Sequence, residues 1–572
     1  MAKFPGLETF QGDIYSYKLD GNEYLHKSYQ YAKSSYRDIT DMNPKFVLYP
    51  KTKDGNEDDF DDIYKALEYA QKYNLKIAIR TGGHQYSGAS STDRKNLQLD
   101  LSNTYKKFEW IDIDKTKLEV GISYSLKEFV DKLTAEGRFL PSGQCEYVGL
   151  GGHVQTGGYG QLARGFGLLT DYVDEIRIIS YDTTEQTYTS KWIKKGDELF
   201  RAVIGGSPGN FGVITHVRLT VLKDSDYSES YGLFAICAYD PNLLKEFLDI
   251  MLETETVNVD DFDYCITFSS DSGSDQGLDH GEEDDPSYDE TYNREGYFRS
   301  DGKLIWPDMI IIHAYQYKGY NEATSPIKKI RDIIEKVKPA KRKIIIDIDK
   351  HYNVSLLVEN WITLIRREFQ LQYIKRGYVS DWEPKKLKDT NWSDWIVKRI
   401  NLAICNKLKV SAQFKYFGGE NSEFYKKGLE NKDSLSWRDM NFGVSFDTFF
   451  EKDLLHLASE WQRENDKCIS VTNPTFCDKD MRLLWASYDL NLDYFHDCYY
   501  DTEKKYADLC YLREKYDPKK IFIPNKFCVG VKNEVPEKVL KDILDKNSDK
   551  FDDLLKDVGC TPIWKRFERR NK

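Results

Sequence analysis

The sequence predicts an α+β protein of more than one domain, and three observations lead to this fold class. The chain has 572 residues, which is too long for a single core, so two or three domains are expected. Short apolar runs alternate with amphipathic helical patterns between about residues 43 and 222. After about residue 223 strand-like and helical segments are mixed and the alternation ends. We therefore expect an N-terminal α/β-like region followed by a second domain.

The first predicted elements of the N-terminal region are a strand, a helix and another strand. Residues 46–50 form a short apolar run, and residues 77–79 form a second one. The helix between them is predicted from four apolar residues that share one face, namely Ile63, Ala66, Leu67 and Ala70. This order of elements is typical of an α/β unit.

The next three elements are predicted from alternation, capping and length. Leu97, Leu99 and Leu101 alternate with polar neighbours, which predicts a half-buried strand. Ser125 followed by Glu128 matches a capping box and marks the start of a helix. The apolar face of that helix consists of Leu126, Phe129, Val130 and Leu133. Residues 213–222 are predicted to form a long strand.

Composition excludes several classes of function. The 40% hydrophobic and 31% charged residues describe an ordinary soluble protein, and no apolar run reaches the roughly 18 residues of a membrane span. The N-terminus lacks the apolar core of a signal peptide, so a cytoplasmic or other intracellular location is expected. The net charge of −12 argues against nucleic acid as a partner. Ten cysteines without repeating spacing predict neither a disulfide framework nor a metal site.

Three glycine clusters carry the chemistry, at residues 80–88, 143–160 and 205–212. Glycine allows the backbone to approach a ligand closely, so that amide groups can converge on phosphate oxygens. Two of the clusters also hold a nucleophile, His84 and Cys145. None has the spacing of a Rossmann or Walker fingerprint. Zinc binding by Cys145 and His153 is an alternative, although no other paired ligands lie nearby in the sequence.

These clusters resemble the PCMH-type FAD-binding domain of the vanillyl-alcohol oxidase superfamily, within its berberine-bridge-enzyme-like branch, which includes hexose and oligosaccharide oxidases. The resemblance rests on RTGGH at residues 80–84, on GQCEYVGLGGH at 143–153 and on GGSPGNFG at 205–212. It implies an FAD domain of two α/β subdomains over residues 1–223 and a substrate domain over 224–477, with an antiparallel sheet covered by helices. It also implies a segment at 478–530 that returns to the FAD domain, before a helical tail at 531–572.

The resemblance further implies that FAD is bonded covalently at two points, through His84 to the flavin 8α-methyl carbon and through Cys145 to C6. His153 resembles the family histidine that faces the N1–C2 carbonyl edge of the flavin, and Val148 stands where the branch controls access of oxygen. The other FAD contacts that the motifs imply are Arg80, Thr81, Gly82, Gly83, Gln85, Ser87, Gly149, Gly151, Gly152, Gly157, Gly158, Gly160, Gly209, Gly212 and Val213.

The substrate side is predicted from weaker motifs. The sequence WASYDLNL at residues 485–492 resembles the branch's C-terminal Y-x-N-Y-x-D motif and makes Tyr488 the catalytic base, although Trp485 and Ser487 depart from the pattern. Gln413 and Lys415 lie in a segment that resembles the strand lining the substrate side of the flavin. A lysine there could lower the pKa of the base by Coulombic attraction, or could face solvent on an alternating strand.

The predicted function is that of an FAD-dependent oxidase. It oxidises a hydroxyl group of a small substrate, with a carbohydrate favoured, and passes the electrons to O₂ to give hydrogen peroxide. The alternatives are a dehydrogenase that uses another acceptor for a secondary metabolite and a flavin-binding protein with impaired catalysis. The acidic stretch at residues 269–295 is expected to be a solvated loop. The sequence predicts no oligomeric state.

Overall fold

The computed structural model describes residues 4–30, 42–85, 88–254, 261–270, 308–338, 344–361, 371–430, 433–470, 473–483, 495–525 and 527–530. The helices and strands below belong to these ranges. The predicted acidic loop at 269–295, apart from its first two residues, and the predicted tail at 531–572 lie outside them.

The first unit is a four-stranded sheet. Its strands are β1 (Asp13–Tyr15), β2 (Phe46–Tyr49), β3 (Ile77–Arg80) and β4 (Leu97–Asp100), in the order β1-β2-β4-β3, with helices α1 (Tyr17–Lys27) and α2 (Asp61–Lys72) beside them. Strand β4 runs parallel to both neighbours. The prediction of a half-buried β4 is wrong, because all four of its residues are buried. A central parallel strand is covered on both faces, and Gln98 and Asp100 satisfy their polar groups through side chains of Gln30 and Arg80.

The second unit is an antiparallel five-stranded sheet in the order β5-β6-β10-β8-β9. Its strands are β5 (Phe108–Trp110), β6 (Lys117–Gly121), β8 (Val173–Asp182), β9 (Thr187–Lys194) and β10 (Val213–Thr220). A small ladder pairs β7 (Arg138–Phe139) with β11 (Leu222–Lys223). The helices here are α3 (Leu126–Thr134), α4 (Leu150–Gln155), α5 (Ala163–Phe166) and α6 (Glu198–Val203). Ser125 and Glu128 form the predicted capping box of α3.

The third unit is an antiparallel eight-stranded sheet in the order β15-β12-β14-β13-β17-β18-β16-β19. Its strands are β12 (Tyr231–Ala238), β13 (Phe262–Ser269), β14 (Met309–Gln316), β15 (Ile344–His351), β16 (Gln372–Ser380), β17 (Lys409–Tyr416), β18 (Phe442–Phe450) and β19 (Met481–Arg482). The accompanying helices are α7 (Pro241–Thr254), α8 (Pro326–Val337), α9 (Val354–Trp361), α10 (Pro384–Asp389), α11 (Trp392–Cys405), α12 (Glu423–Glu430) and α13 (Leu455–Ser470).

One face of the large sheet packs on helices, and the other face is available to a site. Apolar side chains of β13, β14 and β17 form one core with those of α7, α8 and α11. The alternate residues of the same strands point to the opposite face. The structure confirms the predicted α+β class and the antiparallel sheet covered by helices.

The chain returns to the first two units near its C-terminal end. Helices α14 (Phe495–Tyr499) and α15 (Glu503–Tyr516) contribute Tyr499, Tyr506 and Leu509 to the core that α2 and β10 also build. The Ile77 amide donates to the Ile521 carbonyl at 2.7 Å. Strand β19, in contrast, pairs with β16 of the eight-stranded sheet. Within the described ranges, no helix is both long and apolar enough to cross a membrane.

Candidate functional site

A cavity of about 320 Å³ lies between the glycine-rich segments and the open face of the eight-stranded sheet. This volume is in the range of small-molecule sites. One side, here called the glycine wall, is lined by residues from the segments 81–85, 143–161 and 208–210. The other side, here called the sheet wall, is lined by Lys375, Ser411, Gln413, Ser445 and Asp447. The cavity therefore joins parts of the chain that are far apart in sequence.

The glycine wall depends on backbone segments that touch each other. A Cβ atom on Gly82 would lie 2.3 Å from the amide nitrogen of Gly149, so no side chain fits where the first two segments meet. Gly152 differs, because a Cβ atom there would have no atom within 4 Å, although the residue lines the cavity. The space beside Gly152 is thus kept open for an occupant, while Gly82 is required by the fold itself.

His84 and Cys145 meet at the glycine wall. Nε2 of His84 lies 3.4 Å from Sγ of Cys145, and both residues line the cavity. The two nucleophiles therefore face the same small region, although 61 positions separate them in sequence. In the part of the chain that the structure describes, no group of three or more His, Cys, Asp or Glu residues could hold a metal ion.

His153 is held as a neutral imidazole. The Gly143 amide donates to Nε2 of His153 at 3.0 Å, so the ring carries its proton on Nδ1. Burial lowers the pKa of His153 to about 4. At neutral pH this side chain can donate a hydrogen bond from Nδ1 but brings no positive charge.

The sheet wall contains a buried ion pair. The Lys375 ammonium donates to Oδ1 of Asp447 at 2.8 Å and to Oγ of Ser445 at 2.8 Å. The side chains of Lys375 and Asp447 are only 10% and 4% exposed. The two residues are direct cross-strand partners on β16 and β18, and Ser411 on β17 is the other neighbour of Asp447.

Gln413 lines the sheet wall and links it to the glycine wall. Its Nε2 donates to Oε1 of Gln144 at 2.9 Å and to Oγ1 of Thr267 at 3.2 Å. Gln144 is the neighbour of Cys145 in the second glycine cluster. The strand that was predicted to line the substrate side thus reaches the cavity at this residue.

Lys415 lies on the same strand but is buried behind the cavity. Its side chain is 3% exposed, so it does not face solvent. It pairs in register with Cys265 on β13 and Gly443 on β18. Burial lowers the pKa of Lys415 to about 8, against the opposing effect of Asp263.

Part of the chain is similar to known FAD-binding proteins. A family model described as an FAD binding domain matches residues 46–188. The sequence is 27% identical over 226 residues to Berberine bridge enzyme-like 19 of Arabidopsis thaliana, a match that covers 36% of this chain and 37% of that protein. Residues 46–188 of this chain therefore match an FAD-binding domain, and part of the chain is similar to about a third of the length of a berberine-bridge-enzyme-like protein.

Solved structures share the fold beyond the FAD-binding domain. Physcomitrella patens BBE-like 1 superposes with a TM-score of 0.66 at 15% identity, covering 92% of this chain and 98% of that one. The glucooligosaccharide oxidase of Acremonium strictum, whose crystal structure is described as revealing a novel flavinylation, gives a TM-score of 0.63 at 14% identity, covering 91% and 98%. At these identities the likeness shows the fold.

Most of the predicted FAD contacts line the cavity. Those that do are Thr81, Gly82, Gly83, His84, Gln85, Cys145, Val148, Gly149, Gly151, Gly152, His153, Gly158, Gly160 and Gly209, together with Gln413 on the substrate side. Gly157, Gly212, Val213 and Lys415 are not among the lining residues. Ser87 and the predicted base Tyr488 lie outside the described residues.

Arg80, also predicted as an FAD contact, is not among the residues that line the cavity. Its guanidinium lies 3.1 Å from Oδ2 of Asp100 and donates to the carbonyl of Lys27 at 3.0 Å. Neither Asp100 nor Lys27 is among the residues that line the cavity. The geometry therefore gives Arg80 the role of bracing the first glycine loop.

The functional residues that the sequence did not reveal are mostly on the sheet wall. Lys375, Ser445 and Asp447 lie on two strands without a glycine cluster or a nucleophile motif. Their only sequence signal is a charged or hydroxyl residue at alternate positions of an otherwise apolar strand, such as Ser445 and Asp447 in β18. Tyr159 and Asn210 stand within the glycine clusters, and Gln161 directly follows the second one, so all three could have been found there.

Proposed function

We propose that the chain is an FAD-dependent oxidase whose flavin is bonded to both His84 and Cys145, and that it oxidises a hydroxyl group of a small substrate. The observation that carries the proposal is the 3.4 Å approach of Nε2 of His84 to Sγ of Cys145 at the cavity wall. Imidazole and thiolate are the side chains nucleophilic enough to bond an electrophilic flavin ring. Two covalent bonds to one flavin ring system require two nucleophilic atoms close to each other in the cavity, and His84 and Cys145 meet that requirement.

The residues of the cavity fit FAD. Gly152 leaves open space at the wall, and the buried amide of Gln161, which also lines the cavity, has no nitrogen or oxygen partner within the described ranges. The Cys265 thiol is only a weak partner for this buried amide, so an occupant with stronger hydrogen-bonding groups is expected. Bound FAD supplies a hydride acceptor, which the protein's own side chains cannot provide.

Asp447 is the best placed proton acceptor of the sheet wall. Oxidation of an alcohol requires that the hydroxyl proton leave as the hydride departs from carbon. The Lys375 ammonium holds the Asp447 carboxylate in its cavity-lining position through a charge-assisted hydrogen bond. Ser411 and Gln413 add neutral hydrogen-bonding groups on the same wall. Tyr488, which the C-terminal motif suggests, is the alternative proton acceptor.

A polyhydroxylated substrate, with a carbohydrate favoured, suits this wall. Five polar side chains line it, whereas an apolar aromatic substrate would leave most of their hydrogen-bonding groups unsatisfied. The fold is shared with a glucooligosaccharide oxidase and a chitooligosaccharide oxidase. O₂ is proposed as the electron acceptor, because the apolar Val148 beside Cys145 lines the cavity as the oxidase-like residue of the branch does.

The test of the cofactor proposal is the mass of the denatured protein. We expect a yellow protein that keeps its flavin through acid precipitation and is heavier than the apo-chain by one FAD. Replacing either nucleophile alone, as H84A or C145A, should leave the flavin bonded at the other, and the double variant should release it on denaturation. Complete release from either single variant would contradict attachment at two points.

The test of the activity is reduction of the bound flavin without oxygen. A panel of mono- and oligosaccharides and of aromatic alcohols is mixed with the protein under anaerobic conditions, and the loss of visible flavin absorbance is recorded. Reduction by a saccharide, followed by rapid reoxidation in air with formation of hydrogen peroxide, is the expected result. Slow reoxidation would instead favour a dehydrogenase with another acceptor.

A further inference from the structure

A second group of buried polar residues lies directly behind the cavity, where the large sheet meets helix α5. Asp263 and Cys265 are on β13, Lys415 is on β17, and Arg164 and Gln161 belong to α5 and the segment before it. All five are less than a tenth exposed. Burying a charge costs folding free energy unless a partner compensates it, so the partners of each group decide whether it is stabilised.

Lys415 has no direct hydrogen-bond partner among the described residues. The nearby Asp263 carboxylate accepts from the backbone amides of Arg164 and Gly165, at 3.2 and 3.0 Å, and from the Tyr317 hydroxyl. The Asp263 carboxylate is therefore hydrogen-bonded to the backbone of α5, and it attracts Lys415 electrostatically without a hydrogen bond. Gly443, the register partner on β18, contributes no side chain. The result is a buried ammonium held near an anion but not bonded to it.

Gln161 connects this group with the cavity. It lines the cavity at 2% exposure, and neither its amide oxygen nor its amide nitrogen has a nitrogen or oxygen partner in the described part of the chain. Its side chain does hydrogen-bond with the Cys265 thiol, the register partner of Lys415, and a thiol is a weak partner. A carboxamide presents one acceptor and one donor side by side. Its complement is a planar edge with a donor next to an acceptor.

We propose that Gln161 binds the pyrimidine edge of the flavin, where a ring N–H stands beside a carbonyl, and that Lys415 behind it stabilises the negative charge that the ring gains on reduction. This inference rests on the proposed function, since it requires bound FAD. The neutral His153 supplies no charge for this purpose. The other cavity cation, Lys375, is paired with Asp447. Lys415 is thus a buried positive charge that no described side chain contacts by a hydrogen bond.

The proposal makes the effect dependent on pH. The charged and titratable groups that act on Lys415 are Asp263 and Cys265 from β13, while Arg164 from α5 and Tyr317 after β14 act on Asp263. Burial lowers the pKa of Lys415 to about 8, with Asp263 and Cys265 acting in the opposite direction. The ammonium form is therefore present below about pH 8 and is lost above it. Stabilisation of a reduced or anionic flavin should be lost over the same range.

Sulfite is a probe that reports this charge without turnover. It adds to an oxidised flavin through the sulfur lone pair and leaves the ring negatively charged, so its affinity follows the local positive potential. We expect the K415M holoenzyme to bind sulfite about tenfold more weakly than the wild-type holoenzyme at pH 7, as one charge acting across a protein wall predicts. The ratio of the two dissociation constants should fall towards one at pH 9.5, where wild-type Lys415 has lost its charge.

Two further variants separate charge from packing. K415R keeps its charge at pH 9.5 and should then bind sulfite more tightly than the wild type does. Q161L should bind sulfite more weakly than the wild type does, and Q161N should show a smaller loss of sulfite affinity. Both variants should keep one FAD per chain by mass. A K415M protein with full flavin and unchanged sulfite affinity at pH 7, or a ratio that does not change with pH, would overturn the role of Lys415.

The failure of this inference is distinguishable from failure of the proposed function. A wild-type protein without flavin, by absorbance and by mass, would refute the cofactor proposal itself. A wild-type protein with covalent flavin, combined with K415M and Q161L variants that have wild-type sulfite affinity, would refute only the assignment of Gln161 and Lys415.

Discussion

The two walls of the cavity are built on different physical principles. The glycine wall is formed by backbone segments packed so closely that most side chains are excluded, as the 2.3 Å distance from a Gly82 Cβ to the Gly149 nitrogen shows. The sheet wall is formed by charged and hydroxyl side chains of adjacent strands, with the Lys375–Asp447 pair at its centre. The comparison teaches that, under the proposed function, cofactor binding depends on close backbone packing without side chains, whereas substrate chemistry depends on a few polar side chains.

The largest effect is expected from removing the carboxylate of the sheet wall. D447N should lower kcat/KM by about a thousandfold, since a positioned proton acceptor typically contributes 10² to 10⁴. Flavin content should not change, because Asp447 is not on the glycine wall. Steady-state kinetics of hydrogen peroxide formation, with flavin content determined by absorbance, measure both quantities.

The matched control for this variant is S411A. Ser411 is the register neighbour of Asp447 and lines the same wall. The S411A variant should lose less than tenfold in kcat/KM, because the Ser411 hydroxyl offers a hydrogen bond but does not act as a proton acceptor. If D447N were as active as S411A, the proton acceptor would have to be another group, with Tyr488 the first to test.

Substitutions in the glycine wall should divide into fold-breaking and cofactor-excluding ones. A Cβ atom on Gly160 would lie 1.6 Å from the Ser142 carbonyl oxygen, so G160A should lose at least about 3 kcal/mol of unfolding free energy. G152A meets no atom within 4 Å and should leave the stability of the apo-protein nearly unchanged while hindering FAD incorporation. Denaturant unfolding and flavin content test the pair, and equal destabilisation would contradict the distinction.

Breaking the buried ion pair from its cationic side should cost stability as well as activity. K375M leaves the Asp447 carboxylate buried without its ammonium partner and should lower the unfolding free energy by about 3 kcal/mol. K375R should retain much of the unfolding free energy that K375M loses, because arginine keeps the positive charge. Chemical denaturation of the three proteins provides the measurement, and a K375M variant as stable as the wild type would show that the pair does not stabilise the sheet wall.

The smallest effect is expected at His153. Its pKa falls from 6.5 in the unfolded chain to about 4 in the folded protein, so the folded state binds fewer protons. This contribution to stability is fully present above pH 6.5 and is lost as pH falls towards 4. Since the side chain is partly exposed to the cavity, about 2 kcal/mol is expected. Relative to H153Q, the wild type should lose that amount between pH 6.5 and 4, and parallel pH curves would contradict it.

The success of sequence reasoning differs between the two walls. The glycine wall could be predicted because its requirements are local: RTGGH and GQCEYVGLGGH specify a turn, a nucleophile and a close approach within a few residues. Helices α2 and α3 were predicted for the same reason, from apolar spacing and from the capping box. The full burial of β4 could not be predicted, because Gln98 and Asp100 are residue types typical of exposed positions. Only the fold supplies the Gln30 and Arg80 side chains that compensate them.

The sequence by itself determined the α+β fold class, the FAD-binding domain and the pair of nucleophiles, His84 and Cys145. Only the tertiary structure decided that the two nucleophiles lie 3.4 Å apart, that Lys375 and Asp447 face them from the opposite wall, and that Lys415 is buried instead of facing solvent. The physical reason is the range of the interactions. Turn chemistry and helix periodicity act over a few residues, whereas the sheet wall arises from strand register across the chain, which no local pattern records.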